Sequence, residues 1–198
     1  HLNDLRELWD PAEENKLYPF VPPTQAMQDV RLQTTTPAIA DEEKILIGIE
    51  LKGWFILSKE GEPSFRYKAS PNVCANQDLL VIFPWGLDEV ISGAPKLMRP
   101  FIDEARFAAE HRNYYWTVLR GRTGEAAAIN YSEITAPYPS KNQKSNDEAK
   151  RDSGGNFGRV ARGGYMSDFI ETLMNEPVAG IPAKYWHDYL KIFTDGVS

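Results

Sequence analysis

Residues 45–54 read Ile-Leu-Ile-Gly-Ile-Glu-Leu-Lys-Gly-Trp, and this stretch decides the fold. Its odd-numbered positions up to 51 are all apolar, while its even-numbered positions include Glu50 and Lys52. Because side chains alternate between the two faces of a β-strand, this pattern predicts a strand over about residues 44–57. The two charged side chains then share one face, roughly 6.5 Å apart along the strand.

A charged pair inside an apolar strand is unusual. Four Glu-x-Lys pairs occur in the chain, and three of them lie in sequence that reads as helix, turn or loop. Glu50 and Lys52 instead interrupt an apolar run, where desolvation of both charges costs free energy. A strand keeps such a pair when it has to hold both groups rigidly, which makes this segment a candidate functional site. The alternative is an edge strand whose polar face meets solvent.

The preceding segment supplies a partner strand. Residues 29–36 predict a strand, and residues 37–43 predict the loop of a hairpin. With the loop centred near residue 40, opposite residues have numbers that sum to 79 or 80. This register places Asp29 across from Glu50.

The predicted hairpin brings together groups suited to a divalent cation. Opposed side chains lie about 4.5 to 5.5 Å apart at Cβ, close enough for two carboxylates to share one ion through oxygen. Lys52 lies beside them, and Gly48 on the same face would leave room for a metal or a phosphate. Asp41 could replace Asp29 only if the strands were shorter than predicted.

The remaining pattern predicts one α/β domain over residues 1–198, with a mixed central sheet flanked by helices. Its core covers about residues 2–120, with a flexible loop at about 137–155 and C-terminal helices at about 165–194. Further strands are expected at 64–69 and 79–83, the second of them central and covered on both faces. Further helices are expected at 2–9, 10–17, 87–92 and 100–119, and the last of these carries basic and aromatic residues.

Composition excludes several classes. The 198 residues include one Cys and three His, too few for a disulfide framework or a thiolate and imidazole zinc site, so any metal is expected on oxygen ligands. No membrane span or leader is visible, and we expect a soluble, cytoplasmic protein without a membrane partner. The net charge of −6 disfavours indiscriminate coating of nucleic acid, although residues 91–122 carry +3 and could face phosphates.

The order of an acid, a hairpin and Glu-x-Lys over residues 25–85 resembles the PD-(D/E)XK nuclease superfamily, and most of all its type II restriction endonucleases. The resemblance implies an αβββαβ core and a Mg²⁺-dependent DNA endonuclease, with Mn²⁺ as an alternative cofactor. It makes Asp29, Glu50 and the Leu51 carbonyl metal ligands and Lys52 the group that orients or deprotonates the attacking water. An acid of the first helix, Glu7 or Glu14, would be an accessory ligand.

The expected partner is double-stranded DNA, bound by a homodimer because cutting both strands with one site per chain favours two-fold symmetry. The expected contacts to the DNA backbone come from basic side chains: Arg66, Lys68, Arg106, Arg112, Arg159 and Arg162. Two alternatives stay open. One is a nucleic-acid-binding protein that keeps the fold without cleaving, and the other is a structural or interaction domain whose basic helix packs internally.

Overall fold

The computed structural model of the chain describes residues 2–23, 28–63, 71, 74–117, 161 and 164–195. The main sheet is formed by β1 (Phe20–Val21), β2 (Val30–Gln33), β3 (Ile45–Phe55), β4 (Leu79–Leu87), β5 (Pro95–Leu97) and β6 (Phe101–Glu104). A separate hairpin consists of β7 (Pro177–Val178) and β8 (Ile181–Pro182). The α-helices are α1 (Arg6–Trp9), α2 (Ala105–Thr117), α3 (Ser167–Met174) and α4 (Ala183–Asp195), and 3-10 turns cover Asn3–Leu5 and Asp41–Glu43.

The main sheet is mixed. Its strand order is β1-β2-β3-β4-β5, and β6 also pairs with β4. The β1/β2 and β2/β3 pairs are antiparallel, β3 and β4 are parallel, and β4 is antiparallel to both β5 and β6. The predicted α/β class with a mixed central sheet is therefore confirmed.

Strand β4 lies at the centre of the sheet, as its continuous apolar sequence predicts. Leu80 and Ile82 are fully buried. The strand continues through Pro84, where a proline would be expected to end it. It can do so because β4 changes partner there: β6 pairs as far as Ile82, and β5 begins opposite Trp85. The missing N–H of Pro84 thus falls between two partner strands.

The main apolar core lies between the sheet and the helices. Its sheet side includes Trp54, Leu80 and Ile82, and the helices contribute residues such as Ala105 and Leu173. Three alanines of α2 are fully buried, at positions 105, 108 and 109. Their small side chains let this helix approach the sheet closely.

Three of the predicted helices differ from the structure. Residues 10–17 form turns, and Glu13 has a positive φ of 54° that interrupts any helix. Residues 87–92 contain the end of β4 and a turn toward β5. The predicted helix 100–119 begins only at Ala105, because Phe101–Glu104 pairs with β4 and completes its second edge.

The predicted C-terminal helices are confirmed as α3 and α4. The hairpin between them was not predicted, and its turn places Ala179 and Gly180 at positive φ, as a tight two-residue connection requires. The predicted strand 64–69 and the predicted loop 137–155 lie outside the described residues. None of the described helices is long and apolar enough to span a membrane.

His111 on α2 generates a prediction about pH. The residue is 3% exposed and contacts the ring of Tyr165, and its burial lowers the pKa from 6.5 to about 4. Between these values the unfolded chain binds a proton that the folded chain does not. The free energy of unfolding should therefore fall as pH drops from about 6.5 to about 4, by about 3 kcal/mol from this residue.

Urea unfolding of the parent and of His111→Phe across this pH range measures the effect, since the difference between the two curves isolates His111 from other titrating groups. The variant should lose less stability on acidification than the parent. Parallel curves would show that His111 titrates normally in the folded chain.

Candidate metal and phosphodiester site

The β2–β3 hairpin has the predicted register. Val30 lies opposite Ile49 and Arg31 lies opposite Gly48, so that these numbers sum to 79, and the register shifts by one residue only between Leu32 and Gln33. The backbone N–H of Asp29 donates to the Ile49 carbonyl at 2.9 Å, just beyond the last paired position of β2. The hairpin therefore brings Asp29 alongside Glu50, in agreement with the sequence analysis.

The side chain of Asp29 continues the pairing beyond the end of β2. Its Oδ2 accepts a hydrogen bond of 2.7 Å from the Leu51 backbone N–H. In a strand, the N–H and C=O of one residue point toward the same neighbouring strand. The Leu51 carbonyl thus faces the side of the strand where the Asp29 carboxylate lies, which is the placement that its predicted role as a ligand needs.

Glu50 is a buried carboxylate with an incomplete set of partners. The residue is 8% exposed, and its Oε1 forms an ion pair with the Lys52 ammonium. Its Oε2 is buried and has no hydrogen-bond partner. Burial raises the pKa of Glu50, Lys52 acts in the opposite direction, and the Asp29 carboxylate raises it further. Glu50 and Lys52 are consequently not an ordinary solvated surface pair.

These groups fit a hard divalent cation. Two carboxylates and a backbone carbonyl form an all-oxygen donor set of the kind that Mg²⁺ uses with additional water. The unpartnered Oε2 of Glu50 is a buried acceptor that a cation would satisfy. Within the described part of the chain, no group of three or more His, Cys, Asp or Glu side chains is arranged to hold a metal, so any ion would rely on the Leu51 carbonyl and water beside the two acids.

Gly48 has a different role from the predicted one. A Cβ at this position would lie 2.5 Å from Cγ of Gln28 and closer still to Oδ1 of Asp78. The space above Gly48 is therefore filled by protein side chains and is not left for a metal or a phosphate. Sequence analysis missed both Gln28 and Asp78, since neither belongs to a recognisable motif.

The predicted accessory acids do not join the site. Glu7 on α1 and Glu14 in the following turn are both exposed. Their segment is tied to the β1 edge of the sheet, where the Asn3 side chain exchanges hydrogen bonds with the backbone of Phe20. Neither Glu7 nor Glu14 forms a metal-binding group of three with Asp29 and Glu50 among the described residues.

Two of the predicted DNA contacts are wrong. Arg106 is 7% exposed and pairs with Glu110 at 3.2 Å, and Arg112 is 1% exposed. Both side chains point into the protein because α2 lies against the sheet, so they cannot form a phosphate-binding surface. The other four predicted contacts lie outside the described residues: Arg66, Lys68, Arg159 and Arg162.

Comparisons of the chain with protein-family models, with curated proteins and with solved structures find no match. The interpretation of the site therefore rests on its own geometry and chemistry.

Substitution of Gly48 tests the packing above the hairpin. Gly48→Ala should destabilise the fold by about 1–3 kcal/mol, because a Cβ overlaps Gln28 and Asp78 in a filled space. Gly53→Ala in the same strand is a matched control, since the nearest atom to its Cβ would be Nε1 of Trp85 at 3.8 Å. Chemical denaturation of both variants measures the difference, and equal stabilities would contradict the close packing at Gly48.

Substitution of Glu50 separates stability from cation binding. Glu50→Gln should raise the melting temperature at pH 7, because it removes a desolvated charge and its amide can donate to the Asp29 carboxylate. Ca²⁺ or Mg²⁺ should raise the melting temperature of the parent and leave that of the variant unchanged. At a cation concentration one hundred times the dissociation constant, binding adds about 2.7 kcal/mol to the free energy of unfolding.

Differential scanning fluorimetry with and without the cation measures both effects. Glu104→Gln removes an exposed acid of β6 and should behave like the parent. A melting temperature of the parent that does not respond to either cation would contradict the metal site.

Proposed function

We propose that the chain hydrolyses phosphodiester bonds of DNA with Mg²⁺ as cofactor. The observation that carries this proposal is the convergence of Asp29 and Glu50 across one hairpin, with the Lys52 ammonium against Glu50 on the same face. Two carboxylates that lie close together beside one ammonium group suit metal-assisted attack of water on a phosphate.

In this proposal Asp29, Glu50 and the Leu51 carbonyl hold Mg²⁺, with Mn²⁺ as an alternative. When bound, the cation lowers the pKa of a coordinated water and neutralises charge on the phosphate. Asp29 is held by the Leu51 N–H, so its carboxylate is already oriented before any ligand binds. Pre-orientation of this kind reduces the reorganisation needed during the reaction.

Lys52 is the proposed group beside the nucleophile. Its side chain is 24% exposed, which leaves the ammonium at the boundary between the buried Glu50 and solvent. A compact cation at that boundary can contact both an attacking water and a phosphate oxygen. The attacking water gives up a proton to solvent as its oxygen forms a bond to phosphorus, the opposite P–O bond breaks in line, and the leaving oxygen takes a proton from solvent.

The finer proposal is a type II restriction endonuclease that acts as a homodimer in the cytoplasm. It rests on the resemblance of the acid, hairpin and Glu-x-Lys order, and on the strand β4 that follows beside β3. One feature of the family core differs in the described residues: the first α-helix is only four residues long. Residues 64–70 and 72–73, in the segment between β3 and β4 where the family core has a helix, lie outside the described residues.

A structural or interaction domain is the second candidate, because α2 packs internally as that alternative predicts. Arg106 and Arg112 are buried, and His111 of the same helix contacts Tyr165. This candidate predicts that the protein neither binds nor cuts DNA.

Cleavage by Lys52→Ala tests the proposed function. The parent should convert supercoiled plasmid DNA to nicked or linear forms with Mg²⁺ and leave it intact with EDTA. The variant should cut at least roughly a hundredfold more slowly than the parent, since it lacks the group beside the nucleophile. Because Lys52 is partly exposed, the melting temperature of the Lys52→Ala variant and its binding of DNA in Ca²⁺ should stay close to those of the parent.

Lys44→Ala is the matched control, because Lys44 lies just before the same strand and pairs with Asp41 outside the site. It should cut at the parental rate. Parental cleavage by Lys52→Ala would remove Lys52 from the mechanism. A parent that binds DNA equally with Mg²⁺ and EDTA and never cuts would support non-catalytic binding, and absence of binding would support the interaction domain.

A further inference from the structure

Arg31 is a cation on the site face of the hairpin that sequence analysis did not select. It follows Asp29 by two residues on β2 and lies opposite Gly48, whose face also carries Glu50 and Lys52. The residue is half-buried. Within the described part of the chain it forms no ion pair, and neither Asp29 nor Glu50 neutralises it.

The guanidinium is instead held by a neutral group. Its Nε and Nη2 both donate to Oε1 of Gln28, at 3.1 Å and 2.7 Å. An arginine has five N–H donors, so three remain without a partner among the described residues. A partly buried charge normally has a counter-ion. An arginine that is desolvated and oriented without one is suited to receive an anion from outside the protein.

The Gln28 side chain is itself held by a buried carboxylate. Its Nε2 donates to Oδ2 of Asp78 at 2.5 Å, and the Ala75 backbone N–H donates to the same oxygen at 2.8 Å. Asp78 is fully buried and Gln28 is 7% exposed, so this amide has little freedom to turn. The bond to the carboxylate also sets the orientation of the amide: the NH₂ group faces Asp78, and the oxygen faces Arg31.

Gly48 completes the arrangement. A side chain there would displace Gln28 and Asp78 from the space that they share above β3. The protein therefore combines a residue without a side chain, a buried carboxylate and a buried amide at one point of the sheet. Their joint effect is to hold one guanidinium on the face of the hairpin that also carries Glu50 and Lys52.

We propose that Arg31 binds a backbone phosphate of the nucleic acid next to the phosphate that is cleaved, and that Gln28 and Asp78 are positioning residues for it. This inference rests on the proposed function. Planar guanidinium groups bind phosphate oxygens through paired hydrogen bonds, and three remaining donors are enough for that contact. It also supplies positive charge on a face where Asp29 and Glu50 would otherwise repel the DNA.

The test measures binding of a labelled pool of random-sequence DNA duplexes in Ca²⁺ over a range of salt concentrations. Arg31→Gln should bind roughly ten- to a hundredfold more weakly and reduce the slope of log K against log salt by about one, the value for one lost phosphate contact. Arg31→Lys keeps the charge and should keep the parental slope with an intermediate affinity. Lys184→Gln on α4 removes an equal charge from an exposed residue elsewhere and should leave the slope unchanged.

The positioning role is tested by Gln28→Met, which retains the length of the side chain and removes both of its hydrogen-bonding groups. This variant should weaken binding and keep the parental slope, because the guanidinium is still present but no longer oriented. The double variant Gln28→Met/Arg31→Gln should bind no more weakly than Arg31→Gln alone, since both changes act through one contact. Circular dichroism and melting temperatures of each variant confirm that it is folded.

The outcomes separate this inference from the proposed function. An unchanged affinity and slope in Arg31→Gln would overturn the phosphate contact, whether or not the parent cuts DNA. Additive losses in the double variant would overturn the positioning role of Gln28. A parent that binds but does not cut would overturn the proposed nuclease, and the slope of Arg31→Gln would still decide the phosphate contact. A parent that binds no DNA would overturn both.

Discussion

The pairing of β2 with β3 fixes where the charged side chains meet, and the remainder of the sheet keeps that pairing in place. A shift of one residue would move Asp29 to the opposite face and separate it from Glu50. Two constraints act against such a shift. The Asp29 carboxylate accepts a hydrogen bond from the Leu51 N–H beyond the end of β2. On its other side, β3 pairs in parallel with β4 from Ile49 to Phe55. The site is therefore built on a strand that is held from both sides.

Glu50 shows why this rigidity matters. Its carboxylate is desolvated and faces a second carboxylate, yet only one of its two oxygens has a partner in the free protein. A pair selected for stability alone would satisfy both oxygens or replace the charges with apolar groups, because a half-satisfied buried network is destabilising. Local conflict of this kind is typical of functional sites, where a residue is kept for its ligand. The surrounding apolar core offsets the cost.

Sequence could predict the parts of the fold that depend on local pattern. The odd-numbered residues from Ile45 to Leu51 are all apolar, and the short loop before them limits the hairpin register, so Asp29, Glu50 and Lys52 could be placed together in advance. The strand at Phe101–Glu104 could not be distinguished from the start of a helix after Pro100, because its pairing with β4 depends on distant residues. Arg106 and Arg112 carry charge like surface residues, and only the packing of α2 against the sheet reveals their burial.

The same limit applies to the polar contacts above Gly48. Gln28 and Asp78 are 50 residues apart in the chain and join only because β4 begins beside β3. Their contact changes the electrostatic interpretation of the protein. With the arginines of α2 buried, the described cations on the site face of the hairpin are Lys52 and Arg31. Lys52 is already engaged with Glu50, whereas Arg31 is bound to a neutral amide. In the proposed function, the positive charge offered to a phosphate on this face is therefore mainly that of Arg31, with Lys52 beside the nucleophile and any divalent cation that the two carboxylates bind.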